Sequence, residues 1–134
     1  MPWNVFFHDD FHAEFQAMGS TLQDELLAHA RLIQEFGPHL GRPTVDTLKG
    51  SKYANMKELR FDYEGGVWRV AFAFDTERAA ILLVGGDKGG VDQRRFYKKL
   101  IASADARLVG HLATLNAISA SKHVQEKNHG KKSK

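Results

Sequence analysis

Glu58, Arg60 and Arg69 fall within one stretch, NMKELRFDYEGGVWRVAFAFD, residues 55–75. Alternation puts Leu59, Phe61 and Tyr63 on one face of a strand and Glu58, Arg60 and Asp62 on the other. Arg69 stands amid Trp68, Val70, Phe72 and Phe74, where a strand has no need of a guanidinium. Lys88 follows the apolar run AAILLVGG, and Arg94, Arg95, Tyr97, Lys98 and Lys99 open a later helix. Arginines and lysines gathered around one carboxylate and one phenol suit the cleavage of RNA. There the 2′-hydroxyl is itself the nucleophile, so the site has only to take its proton, stabilise charge on the phosphate oxygens and assist the leaving 5′-oxygen. Glu58 is the candidate base. Arg69 offers a planar fork matched to two phosphate oxygens, and Lys88 shares the charge stabilisation. Tyr97 stacks on a base or assists proton transfer.

The same residues have plainer readings. Glu58 and Arg60 also make a solvated strand face, and Arg69 also pairs with Glu58 across a hairpin, a contact worth about 0.2–1 kcal/mol. Tyr97 beside Phe96 also fits a core, and Arg94 to Lys99 also fit the wet face of a helix. Seven histidines raise the question of a metal. His8 and His12 are four apart but straddle an expected strand–helix junction, and no acidic partner stands at a diagnostic interval, so neither metal nor cofactor is expected. Gly85-Gly86 and Gly89-Gly90 bracket Asp87-Lys88 without the order of a nucleotide-binding P-loop, and read as turn glycines.

These side chains need a scaffold. Trp3, Val5 and Phe7 mark a first, mostly buried strand. Asp9 or Asp10 is the expected cap of a short helix carrying Phe11, Phe15 and Met18, closed by Gly19. Ser20 and Gln23 form a capping-box pattern for a second helix with Leu22, Leu26, Ala30 and Ile33, stopped by Gly37-Pro38. Residues 38–54 read as a basic surface loop containing Lys49 and Lys52. Two strands joined at Gly65-Gly66 follow, then residues 79–86 as a strand covered on both faces. Asp92 caps a last helix with Phe96, Leu100, Ala104, Leu108, Leu112 and Leu115. The order is β-α-α-β-β-β-α, an α+β fold with two N-terminal helices and a C-terminal helix on a small, mainly antiparallel sheet.

The chain of 134 residues carries a net charge of +3 and no cysteine. One domain is expected, over residues 1–118, with a polar, lysine-rich and disordered tail at 119–134. The absence of cysteine fits a cytoplasmic setting and excludes a disulfide framework. The start lacks a signal-peptide pattern, and no run approaches a membrane span. Residues 1–36 hold one basic and six acidic residues, whereas 37–118 hold 13 basic and nine acidic and 119–134 hold five basic and one acidic. The middle and end, not the beginning, suit a polyanion.

The words GRPTVDTLKGSKYANMKELRF, WRVAFAFD and AILLVGGDKGG followed by RRFYKKLI, in this order, resemble the HigB-type branch of the RelE superfamily over roughly residues 3–115. These are toxins of type II toxin–antitoxin systems, and many members are phage-derived. The resemblance implies a RelE-like α+β fold and a metal-independent endonuclease acting on mRNA in the ribosomal A site. It implies a helix-turn-helix antitoxin as partner, operator DNA bound only through that complex, and no membrane. It carries Arg69 to the family's phosphate-contacting arginine, Lys88 to the basic residue after the last strand and Tyr97 to the late aromatic position. Glu58 and Arg60 fall where some members place a lysine pair and others a carboxylate base. Lys49, Lys52, Lys57, Arg60, Arg94, Arg95 and Lys98 complete the expected RNA-binding set. Two other readings are a ParE-like gyrase inhibitor on the same fold and an inactive phage remnant that only binds RNA.

Overall fold

The computed structural model describes residues 2–132, with side chains through Ala120. Strand β1 (Asn4–Phe7) leads into α1 (Asp9–Gln16) and α2 (Ser20–Phe36). A 3-10 turn at Gly37–His39 precedes β2 (Val45–Thr47), β3 (Met56–Tyr63), β4 (Gly66–Phe74) and β5 (Ala79–Asp87), and α3 (Gln93–Lys132) closes the chain. The five strands lie in the order β1-β5-β4-β3-β2. Only β1 against β5 is parallel; the other pairs are antiparallel. The expected α+β fold is therefore present, with one added strand. Turn-rich residues 38–54 contain β2, whose three residues pair with β3 at the sheet edge.

Both faces of the sheet are covered, which is why β5 reads as an unbroken apolar run. On one face α1 and α2 bury Phe11, Leu26, Ala30 and Ile33 against Leu59, Phe61, Val70, Phe72 and Leu82. On the other, Leu100, Ala104 and Leu108 of α3 cover Met56, Ala71, Ala73, Ile81 and Leu83. The strand face bearing Glu58 and Arg60 is thus roofed by a helix, and the charges sit where that roof begins.

Several local devices differ from expectation. His8, not an aspartate, caps α1, its Nδ1 accepting from the Asp10 amide at 3.1 Å. Gly19 is the N-cap of α2 with no side-chain cap; Gln23 instead donates to the Phe15 carbonyl at 2.9 Å, closing the end of α1. The β3–β4 turn is Glu64-Gly65, both with positive φ (47° and 78°), because Tyr63 pairs with Gly66. The Asp92 cap is present, with its carboxylate 3.0 Å from the Arg95 amide. Helix α3 runs through Ser119 to Lys132 without a break where disorder was expected. Residues 111–129 contain neither Gly nor Pro, and extending an anchored helix through Ala, Lys, Glu and Gln costs little backbone propensity.

Candidate functional site

The β3–β4 register sets Arg60 directly opposite Arg69, with Glu58 two residues away on the same face of β3. Glu58 is 4% exposed, and both its oxygens are used. Oε2 accepts from Arg60 Nη2 at 2.8 Å and Nε at 3.2 Å. Oε1 accepts from the Tyr97 hydroxyl at 2.8 Å and lies 3.8 Å from Arg69 Nε. Tyr97 reaches this point because it lies in the second turn of α3, where the helix first meets the sheet. Burial, then the hydrogen bond it donates to Glu58, pushes its phenol above the ordinary tyrosine value.

The two arginines differ in access. Arg60 is 32% exposed and also faces Asp46 at 3.4 Å, and its hydrogen bonds to Glu58 raise its pKa further. Arg69 is 11% exposed. Its Nη1 donates to the Trp68 carbonyl at 2.8 Å, while its Nε is a buried donor with no hydrogen-bond partner. Lys88 comes from the turn after β5, its Nζ 5.7 Å from the centroid of the Tyr97 ring. Burial, then the nearby Arg69 charge, lowers its pKa. Asp87 fixes that turn: its Oδ1 accepts from the Val67 and Gly89 amides at 2.9 and 2.8 Å, and the Lys88 amide donates to the Val67 carbonyl at 2.8 Å.

These groups surround an open cleft of about 300 Å3, lined by Glu58, Arg60, Lys88 and Tyr97 together with Lys49, Asp46 and Gln93. Three of the four residues expected to be catalytic therefore share its wall, and Arg69 lies against the Glu58 carboxylate. Of the remaining expected set, Lys49 and Arg60 line the cleft. Arg94 and Lys98 line a shallower groove of about 600 Å3 that shares Gln93 and Tyr97 with the cleft. Lys52 lies toward α3, its amide donating to Asp105 at 3.2 Å. Lys57 is on the β3 face opposite Glu58 by alternation. Arg95 contributes the backbone amide bound by Asp92, and lines neither cavity. Asp46 and Gln93 were not singled out in the sequence. Asp46 belongs to the unrecognised strand β2, and Gln93 carried no charge signal. Among the described residues, no group of three or more His, Asp or Glu side chains converges as a metal site, and no helix is long and apolar enough to cross a membrane.

The family model for "Phage derived protein Gp49-like" matches residues 13–109. "Putative toxin HigB3" of Mycobacterium tuberculosis (strain ATCC 25618 / H37Rv) is 48% identical over 83 residues, covering 62% of this chain and 70% of that protein. "Putative toxin HigB2" of the same strain is 43% identical over 89 residues, covering 66% of this chain. The chain spans 44% of the length of HigB2. A free-state variant of the E. coli toxin RelE, with two arginines replaced by alanine, superposes with a TM-score of 0.53 at 14% identity, over 76% of this chain and 96% of that one. That likeness concerns the fold alone. With a family model matched across most of its length, the chain belongs to the Phage derived protein Gp49-like family, and it is similar in sequence to HigB-type toxins.

Proposed function

We propose that this protein is the toxin of a type II toxin–antitoxin pair, a metal-independent endoribonuclease that cleaves mRNA in the ribosomal A site in the cytoplasm. The observation that carries this reading is the buried Arg69 Nε–H, which makes no hydrogen bond and has the Glu58 carboxylate only at 3.8 Å, beside a cleft walled by Arg60, Lys49 and Lys88. A buried donor without a partner is costly in the free protein, and a phosphate oxygen entering beside Glu58 supplies one. Arg60 is the more accessible fork and meets the incoming phosphate first. As Arg60 turns to the phosphate it releases Glu58 Oε2, which then takes the proton of the 2′-hydroxyl. The 2′-oxygen attacks phosphorus, the bond to the 5′-oxygen breaks, and Lys88 supplies the proton to that leaving oxygen. Tyr97 holds Glu58 Oε1 throughout. Lys49, Arg94 and Lys98 carry the flanking phosphates.

The test is cleavage of mRNA on programmed ribosomes. The wild type, stripped of metal by chelator before it meets the ribosomes, is expected to cut and to leave 2′,3′-cyclic phosphate ends. Arg69→Lys, which keeps the charge and loses the fork, is expected to be slower by about 100-fold, as when one transition-state donor is removed. Unchanged cleavage by Arg69→Lys, or growth arrest through gyrase with mRNA intact, overturns the reading.

The same reading supplies a partner, a helix-turn-helix antitoxin through which alone the pair meets operator DNA. The acidic stretch 1–36 carries Leu27 and Phe36 exposed on α2, away from Glu58. We place the antitoxin there, excluding the toxin from the ribosome by bulk rather than by plugging the cleft.

A further inference from the structure

Strand β5 changes face half-way along. Ala79, Ile81 and Leu83 pack on the α3 side of the sheet, and Ala80 and Leu82 on the α1–α2 side. Unbroken alternation would put Lys88 with Ala80 and Leu82, across the sheet from Glu58, Arg60 and Tyr97. The register shows why it does not. Phe72 of β4 pairs with Leu82, but Ala71 pairs with Val84, leaving Leu83 as an extra residue without a partner in β4. Beyond this bulge the parity is reversed. Val84 packs with the α3 cluster. A side chain at Gly85 would meet Val70 and Phe11, and one at Gly86 would meet Phe96 of α3. Lys88 accordingly arrives in the cleft.

A bulge leaves backbone groups outside the ladder, and buried ones need another partner. The Leu83 carbonyl accepts from Arg107 Nη1 at 2.7 Å. Arg107 comes from α3, ten residues beyond Tyr97, and its guanidinium is held by both oxygens of Glu14 on α1, at 2.9 and 2.7 Å. We propose that Arg107 is a positioning residue for the reaction: by holding the Leu83 carbonyl outside the β4–β5 ladder it maintains the bulge that turns Lys88 into the cleft. The inference rests on the assignment of Lys88 to RNA cleavage made above. Glu14 keeps the guanidinium aimed, and Asp87 sets the turn at the other end of the same segment.

The test variant is Arg107→Met, which keeps the stem and loses the donors. In the uncomplexed protein, NOEs between the Lys88 side chain and the Tyr97 ring are expected in the wild type and lost in Arg107→Met. In a double-mutant cycle with Lys88→Met, Arg107→Met is expected to slow cleavage about tenfold when Lys88 is present and less than about twofold when it is absent. Wild-type NOEs in folded Arg107→Met overturn the proposal, because the bulge then stands unaided. Equal losses in both backgrounds also overturn it, because Arg107 then acts on the fold and not through Lys88. If Arg107→Met does not fold, Glu14→Ala is read by the same NOEs and the same cycle, with smaller changes expected in the same direction and the same overturning results. If the wild type cleaves no RNA, the functional reading fails and the NOEs alone decide the role of Arg107.

Discussion

Arg60 and Arg69 stand opposite one another on neighbouring strands, an arrangement that repels unless a counter-charge intervenes. Glu58 is that counter-charge, and this gives it a structural duty beside the chemical one proposed for it. Alternation made the membership of the cluster legible, because Glu58, Arg60 and Arg69 had to share a face. It could not show the division of labour. That depends on Arg60 folding back two residues along its own strand, on Tyr97 descending from α3, and on Arg69 turning its Nη1 to the Trp68 carbonyl. Lys88 provides the residue-scale prediction. Burial first, and the Arg69 charge second, make its protonated form less favourable than in the unfolded chain. A lysine whose folded pKa is lowered costs stability while it is charged, and the cost is relieved as pH rises toward the ordinary value of 10.5. Its NMR titration is expected to have a midpoint below 10.5, and Arg69→Gln is expected to move that midpoint upward. Lys88→Met should leave the melting temperature at neutral pH unchanged or higher. An unmoved midpoint in Arg69→Gln would show that the two cations are screened from each other.

Element identities followed from periodicity, but the joints between elements did not. A residue with capping chemistry serves whichever backbone group lies nearest in space. Thus Gln23 closes the end of α1, and His8 takes the cap expected of an aspartate. Strand β2 was hidden because three residues in a turn-rich loop carry no measurable period; its strand character comes from pairing with β3. At the hairpin, Gly65-Gly66 reads from the sequence as the turn, yet the two glycines serve different ends. Gly65 supplies positive φ within the turn, and a side chain there would meet nothing within 4 Å. Gly66 is the first residue of β4, and a Cβ there would lie 2.6 Å from Asp87 Oδ2. Asp87 cannot easily retreat, since its other oxygen binds two amides. Gly66→Ala is therefore expected to cost about 1–3 kcal/mol, the usual range for overpacking, read as a fall of about 4–8 °C per kcal/mol in the melting temperature. It should also shift the amide resonances of Val67, Lys88 and Gly89. A melting temperature like the wild type, with those resonances unmoved, would show that Asp87 is held less firmly than its hydrogen bonds imply.

Across the whole molecule, charge is arranged by position along the chain: the first 36 residues are acidic, and the remainder is basic. The fold keeps this separation useful, since α1 and α2 cover one face of the sheet while the cationic cleft opens at the start of α3, on the other face. Helix α3 joins the cleft to the lysine-rich end. Its packing against the sheet reaches Leu112, and the His111 ring meets the Asp75 carboxylate at 3.0 Å. Asn116 to Ala120 are exposed. Asn116 to Ala120 thus add no core, and the helical backbone continues through Lys132. Ending the chain at Ile118 removes five lysines and one glutamate. The contacts that seat α3 remain, so the melting temperature is expected to change by less than about 4 °C, the shift that corresponds to 1 kcal/mol or less in a small domain. Association with RNA or ribosomes should weaken, most strongly at low salt, because each lysine near a phosphate acts by releasing a counter-ion. The slope of log affinity against log salt should become shallower in the shortened chain, and the rate of cleavage at saturating ribosome should stay the same. A fall of ten degrees or more, beyond about 4–8 °C for each kcal/mol lost, would mean that the lysine-rich end is packed on the domain. An unchanged salt slope would mean that its lysines never meet the nucleic acid.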